Sequence, residues 1–197
     1  MVRQQATTHG AQLFGVDPTQ FTNWRWQMGQ QVGDTKSAAS YLALSQDEQD
    51  GFAALKEIFH AGVTPYYLSL IDPRLGESCP IRKQALPNIL ESQDLEGLAD
   101  PLDETGHSPV KEVVHVYPDR VAFCVAQLCP VYCRYCFRKR RDDEVGLHFN
   151  RQVVQRGLEY IAATPAIRDV LVTGGDPFLA SDETIANLVA KLRTIPH

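Results

Sequence analysis

Positive charge is scarce in this chain: 19 Lys plus Arg stand against 24 Asp plus Glu in 197 residues, a formal net charge of −5. A domain that grips phosphate by bulk charge is thereby excluded, and no nucleic-acid partner is expected. Long apolar runs are missing too. The longest, Val121 to Ala126, is far too short to span a bilayer, and the polar stretch from Met1 to Gln20 holds no apolar run of signal-peptide length. A soluble, cytoplasmic protein with no membrane partner is expected. The 13 glycines and 12 prolines follow no collagen-like period, and 44% hydrophobic against 22% charged residues excludes a disordered chain. Paired cysteines are lacking as well. There are five, an odd number, and four crowd between Cys124 and Cys136, unlike a secreted disulfide framework. In a reducing compartment such a cluster reads as metal-binding or catalytic.

What is present falls into two parts. Residues 1–16 carry no periodicity and read as a loose terminus. Helical signals follow: Asp17-Pro18 opens a stretch through Trp24, Trp26 and Met28, and Ser45-Gln46-Asp47-Glu48 is a capping box leading into Phe52 to Phe59. A short helix is expected after Thr64-Pro65. From Ile71 to about Val113 the chain is rich in Pro, Asp and Glu and reads as a connector draped over a core. After Tyr117-Pro118-Asp119 the pattern changes. Arg120 to Ala126 reads as a buried strand, Asn150 caps a helix with the stripe Val154, Leu158 and Ile161, and Asp169 to Thr173 is a second strand. Ser181 caps a last helix whose Ile185, Leu188, Val189 and Leu192 share one face. Strand, helix, strand, helix at this spacing implies parallel β/α units with both faces of the sheet covered. Two such units supply only two parallel strands, so the chain is expected to be the N-terminal part of a longer protein.

The segment CPVYCRYCFRKR places Cys129, Cys133 and Cys136 at C-x3-C-x2-C. Three thiolates in one loop suit a metal. Structural zinc prefers four closed ligands, and the only further candidate, Cys124, lies inside the apolar strand and reads as a buried structural cysteine. A 4Fe-4S cluster fits better, because three cysteines leave one iron open for chemistry. The second strand ends in Thr173-Gly174-Gly175-Asp176-Pro177, whose glycines would let backbone approach a ligand closely, although a plain tight turn accounts for them too.

With Tyr135 before the last cysteine, the C-x3-C-x-aromatic-C loop directly after a strand resembles that of the radical S-adenosylmethionine (SAM) superfamily. The resemblance extends along the chain. Trp24-Arg25-Trp26-Gln27, Thr64 to Asp72 (TPYYLSLID), Pro80 to Gln84 (PIRKQ), Asp100-Pro101-Leu102 and His115 to Val121 (HVYPDRV) are similar to segments of the lysine 2,3-aminomutase family, from about Phe21 to His197. Membership implies three cofactors: a 4Fe-4S cluster, SAM and pyridoxal 5′-phosphate (PLP). It also implies a reaction in which a 5′-deoxyadenosyl radical takes hydrogen from the β-carbon of an amino acid held on PLP, and the amino group migrates from C2 to C3. L-Lysine going to β-lysine is the type activity, and a low-potential electron donor would be a partner. Glutamate, arginine or a lysine of a translation factor are substrates within the same chemistry, and self-association is left open.

Residue by residue, the resemblance makes Cys129, Cys133 and Cys136 the cluster ligands, puts Tyr135 and Phe137 beside the cluster and the adenine of SAM, and gives Gly174, Gly175 and Asp176 to SAM. Arg138 would pair with the substrate carboxylate, the alternative being one member of a solvated basic run, Arg138 to Arg141, answered by Asp142, Asp143 and Glu144. Tyr117 and Arg120 would lie near PLP, although a Tyr-Pro turn entering a strand explains them as well. Three departures stand out. The usually basic position before Tyr117 is Val116, the loop after the cysteines reads RKRRDDEVG, and no lysine from Lys36 to Lys191 stands in a segment resembling the family's PLP site. The remaining histidines and Cys79 read as packing or surface residues.

The expectation is therefore an α/β chain. A helical region and connector over residues 1–113 precede a partial parallel β/α barrel of radical SAM type over residues 114–197, truncated after two β/α units. Two rival expectations are a catalytically incomplete fragment binding only cluster and SAM, and a zinc-stabilised interaction module.

Overall fold

The computed structural model describes residues 2–56, 58–93, 96–139 and 149–197, and the chain divides into two compact units, Met1–Gly97 with Pro130–Cys136, and Leu98–Cys129 with Phe137–His197.

The first unit is helical. Its helices are α1 (Val2–Phe14), α2 (Pro18–Phe21), α3 (Trp24–Gly29), α4 (Thr35–Ala39), α5 (Gln46–Leu55), α6 (Pro65–Leu68), α7 (Pro80–Ala85) and α8 (Leu90–Gln93), with a 3-10 helix at Pro73–Ser78. Local chemistry starts most of them. Asp17, Asn23 and Asp34 cap α2, α3 and α4 through their side chains. The Ser45–Glu48 capping box forms as read, Ser45 Oγ accepting from Glu48 N at 3.3 Å and Glu48 Oε2 from Ser45 N at 2.9 Å. Glu48 has a second partner that the box does not reveal. Its carboxylate takes Arg82 Nε and Nη2 at 2.5 and 2.6 Å with both side chains buried, which ties α5 to α7.

Two expectations for this unit are corrected. Residues 1–16 are not loose: α1 occupies 2–14, with Ala11 buried and the Phe14 ring stacked on Tyr41 at 4.1 Å. Its contact surface uses Gly10 and Ala11, the former in close approach to Phe21, and such small residues register no hydrophobic period. The stretch after Ile71 is not merely draped over a core either. Its elements are short, yet Ile71, Cys79, Ala85 and Leu86 join Val32, Ala38, Phe52, Val63 and Leu68 inside the core. Among the described residues, no helix is long and apolar enough to cross a membrane.

The second unit is mixed α/β. Among the described residues its sheet has three strands in the order β1 (Val113–Tyr117), β2 (Arg120–Ala126), β3 (Asp169–Gly174). The β2–β3 pair is parallel, with Val121 opposite Val170 and Phe123 opposite Val172. The β1–β2 pair is an antiparallel hairpin closing at Tyr117 opposite Arg120. The sequence reading found β2 and β3 and missed β1, whose Val113 and Val114 are both buried and so break the alternation that announces a half-buried strand. Helices α9 (Arg151–Ala162) and α10 (Asp182–Leu192) follow β2 and β3, and the core joins Val121, Phe123 and Val125 to Leu158, Ile161 and Leu188. Asn150 and Ser181 cap the two helices as expected. The faces differ in detail: on α9, Val153 is fully buried and Val154 only partly, while on α10 Val189 is exposed. The expectation that both sheet faces are covered also fails at Leu171 of β3, which is exposed at the sheet edge.

Asp119, in the turn between β1 and β2, also fixes the start of β3. Its carbonyl accepts from Arg168 N and Asp169 N, and its carboxylate accepts from Arg120 and Arg168. The hydrogen bonds from Arg120, then Arg168, hold the carboxyl well below the usual carboxylate range. A depressed folded pKa adds stability that is complete above the unfolded value, about 3.9, and is lost as pH falls towards the folded one. Wild type should therefore exceed Asp119→Asn in urea midpoint at pH 7, with the gap closing below about pH 4.

Candidate functional site

All five cysteines are described and none is in a disulfide; Cys79 and Cys124 are buried, whereas Cys129, Cys133 and Cys136 are half-buried. The reading of Cys124 as a buried strand residue holds. Residues 130–136 lie along residues 59–64 of the first unit. Thr64 N donates to Pro130 O at 3.1 Å, Tyr132 N to Gly62 O at 2.9 Å, and the Tyr132 ring meets His60 at 4.0 Å. Cys133 and Cys136 close a turn through a 2.9 Å bond from Cys136 N to Cys133 O. Tyr135 is 70% exposed, and a hydrogen bond with Cys133, reinforced by that thiol's charge, raises its phenol pKa. Tyr67 is raised first by burial and then by Cys133.

Arg134, between the last two cysteines, was not singled out in the sequence. Its side chain is buried and paired with Glu91, Nε to Oε1 at 2.9 Å and Nη2 to Oε2 at 3.0 Å, and it donates to the carbonyls of Phe59 and His60. Its backbone N–H donates to Gln84 O at 2.8 Å. The signal that could have found it is a charged residue enclosed by two ligand-spaced cysteines.

In the second unit, Gly174, Gly175 and Asp176 form the turn after β3, laid against the chain that leaves β2. Gly175 N donates to Ala126 O at 2.6 Å and Asp176 N to Leu128 O at 2.8 Å. Gly174 has φ +117°, and a Cβ there would stand 2.1 Å from Ala126 O. The glycine requirement thus comes first from the fold. Gly174→Ala should lower stability by about 3 kcal/mol or more, read as a shift in urea midpoint, because strain and overlap with backbone add. Asp176 Oδ1 caps the 3-10 turn at Pro177–Leu179 by accepting from Phe178 N at 3.0 Å.

Arg138 is not a solvated member of a basic run. It pairs with Glu104, Nη2 to Oε1 at 2.8 Å and Nε to Oε1 at 3.0 Å, with Nη1 3.5 Å from Thr173 Oγ1 and its own Phe137 ring 4.8 Å from Cζ. Beyond Lys139 the run, with Asp142, Asp143 and Glu144, lies outside the described residues. Glu104 was missed in the sequence; its only local signal is a place just after Asp100-Pro101-Leu102. Tyr117 is exposed, and Arg120 lies 5.9 Å from its ring while bonded to Asp119 at 2.8 Å. These two do not by themselves build a phosphate pocket.

Half-buried thiols outside any disulfide, on a loop pinned by its neighbours, suit iron-sulfur ligation. Among the described residues, no three His, Cys, Asp or Glu side chains gather as ligands of one ion.

A family model described as a 4Fe-4S single cluster domain matches residues 119–196, a stretch that contains the cysteine loop and the Gly174-Gly175 turn. The chain is 39% identical over 183 residues to the L-lysine 2,3-aminomutase of Clostridium subterminale, covering 92% of this chain and 44% of that protein. It is 36% identical to the enzyme of that name from Bacillus subtilis, over 92% of this chain and 39% of the relative, and 32% identical to the glutamate 2,3-aminomutase of Clostridioides difficile, over 90% and 42%. Over the stretch it shares with these relatives, about nine-tenths of its length, the chain is similar to the lysine and glutamate 2,3-aminomutases. It spans less than half the length of each of these three.

Proposed function

We propose that this protein is an amino acid 2,3-aminomutase, an isomerase, acting on L-lysine to form β-lysine. Cys129, Cys133 and Cys136 hold a 4Fe-4S cluster, and SAM binds at the open iron and the Gly174–Asp176 turn. The carrying observation is the C-x3-C-x2-C loop set directly after β2, in a chain 39% identical over 92% of its length to an L-lysine 2,3-aminomutase. Two parallel β/α units, β2-α9 and β3-α10, support a partial barrel of radical SAM type.

Once bound, the cluster and SAM supply a hydrogen-abstracting radical, and PLP carries the migrating nitrogen. The chain's own residues position and shield. The 133–136 turn and Arg134 present two thiolates, Tyr135 and Phe137 offer aromatic surface beside the loop for adenine, and Arg138 offers a guanidinium for the substrate carboxylate. Tyr117 and Arg120 are the weaker part of the reading, assigned near PLP by resemblance alone. A cytoplasmic setting and a low-potential electron donor complete the proposal.

The test is anaerobic reconstitution with iron and sulfide, followed by SAM and then L-lysine or L-glutamate with PLP. Iron-sulfur absorption that shifts with SAM, together with conversion of L-lysine to β-lysine, supports the whole reading. Cluster and SAM response without turnover of either amino acid favours a binding-only fragment. A colourless protein holding one tight zinc overturns the radical reading.

A further inference from the structure

We propose that Gly62 is a positioning residue for the iron-sulfur cluster: its bare α-carbon seats the ring of Tyr132 and so fixes the backbone that carries Cys133. The inference rests on the reading of Cys129, Cys133 and Cys136 as cluster ligands. It adds a residue of the helical unit, outside the 119–196 stretch that the 4Fe-4S family model matches. The cysteine loop is bedded in that unit as a strand. Val63 bridges Val32 on one side and Val131 on the other, both antiparallel. Val32 N donates to Val63 O at 2.8 Å and Val63 N to Val32 O at 3.0 Å, while Thr64 N to Pro130 O and Tyr132 N to Gly62 O hold the loop on the other side. Pro130 O also accepts from Gln31 Nε2 at 3.2 Å.

Gly62 is buried and Tyr132 is 7% exposed. A Cβ on residue 62 would stand 2.6 and 2.9 Å from Tyr132 Cδ2 and Cε2, well inside the carbon–carbon contact distance of about 3.5 Å. The ring has little room to give. His60 packs on it at 4.0 Å between ring centres, and Phe59 meets it edge-on at 5.8 Å. A side chain at residue 62 must therefore push the ring, and in a close-packed interior that strain passes to the backbone of residue 132. Cys133 is the next residue, and its carbonyl accepts from Cys136 N, so two of the three ligands shift together. Groups that orient ligands govern how tightly a metal centre is kept.

The test uses the full chain, reconstituted anaerobically with iron and sulfide, and reads the rate at which iron-sulfur absorption is lost to an iron chelator. Gly62→Ala should lose it roughly tenfold faster than wild type and alter the EPR spectrum of the dithionite-reduced cluster. Gly10→Ala, which crowds Phe21 in the same unit, should lower the urea midpoint but leave the chelator rate and the EPR spectrum unchanged. Tyr132→Leu empties the seat and should speed the loss roughly threefold. Combining Gly62→Ala with Tyr132→Leu puts a methyl where the ring stood, and this double variant should lose the cluster more slowly than either single one. Should Gly62→Ala alone not fold, the double variant against Tyr132→Leu still decides. A wild-type rate in Gly62→Ala overturns the proposal. So does equal acceleration in Gly10→Ala, which marks a merely structural role, or a double variant no slower than Tyr132→Leu. If wild type itself assembles no cluster, the ligand reading fails first and this proposal falls with it.

Discussion

Alanine in place of Cys133 should leave the reconstituted protein without its iron-sulfur absorption, with iron per chain falling from about four to near background. The loss should be close to total. In the proposed cluster each of three irons would depend on one thiolate, and with Cys133 gone the loop retains only Cys129 and Cys136. Cys124 is no substitute, because it lies buried within β2, opposite Thr173. The fold of the apo protein should hardly change. Cys133 is half-buried, and the contact its Sγ makes with Val131 O is a weak one at 3.9 Å. Iron analysis and an absorption spectrum of the variant, beside circular dichroism of the apo form, separate cluster loss from unfolding. Retention of iron and spectrum would remove the cluster assignment altogether.

Arg134→Met should destabilise the apo protein by about 3–5 kcal/mol, because it breaks a buried ion pair and leaves the other charge without compensation. The side chains of Arg134 and Glu91 are 4% and 18% exposed. The same change leaves the carbonyls of Phe59 and His60 without the donors Arg134 supplies. The pair matters to function through its place in the chain. Arg134 stands between Cys133 and Cys136, so its loss releases the loop that would present them in the proposed cluster site, and cluster loading should fall with stability. Adding Glu91→Leu to Arg134→Met should recover part of the lost urea midpoint, since no unpaired carboxylate then remains, but not the full cluster loading. If the double variant loads iron as wild type does, Arg134 acts only on folding.

Several elements were legible because their causes are local. The Ser45–Glu48 box, the Asn150 and Ser181 caps and the apolar run of β2 each lie within a few residues and form where they were read. The failures share the opposite property. Helix α1 is held through Gly10 and Ala11, too small to make a stripe, and β1 is recognisable only once Val113 and Val114 are seen paired with Phe123 and Ala122. Val189 carries the correct helical spacing and is still exposed, because periodicity names a face without saying how wide a strip its neighbours cover.

The site divides in the same way. By itself the sequence determined the candidate cluster ligands, since C-x3-C-x2-C is a statement about spacing along one loop, and it carries the likeness to the 2,3-aminomutases, spread over most of the chain. Only the tertiary structure decided what holds those residues. Arg138 is paired with a glutamate 34 positions away, and Arg134 is bonded to residues 43 and 75 positions away. The cysteines on either side of Arg134 are a local signal for it, but nothing local to either arginine names the carboxylate it pairs with. A buried ion pair persists only where folding brings both partners out of water together, and that coincidence is a property of packed space with no period along the chain.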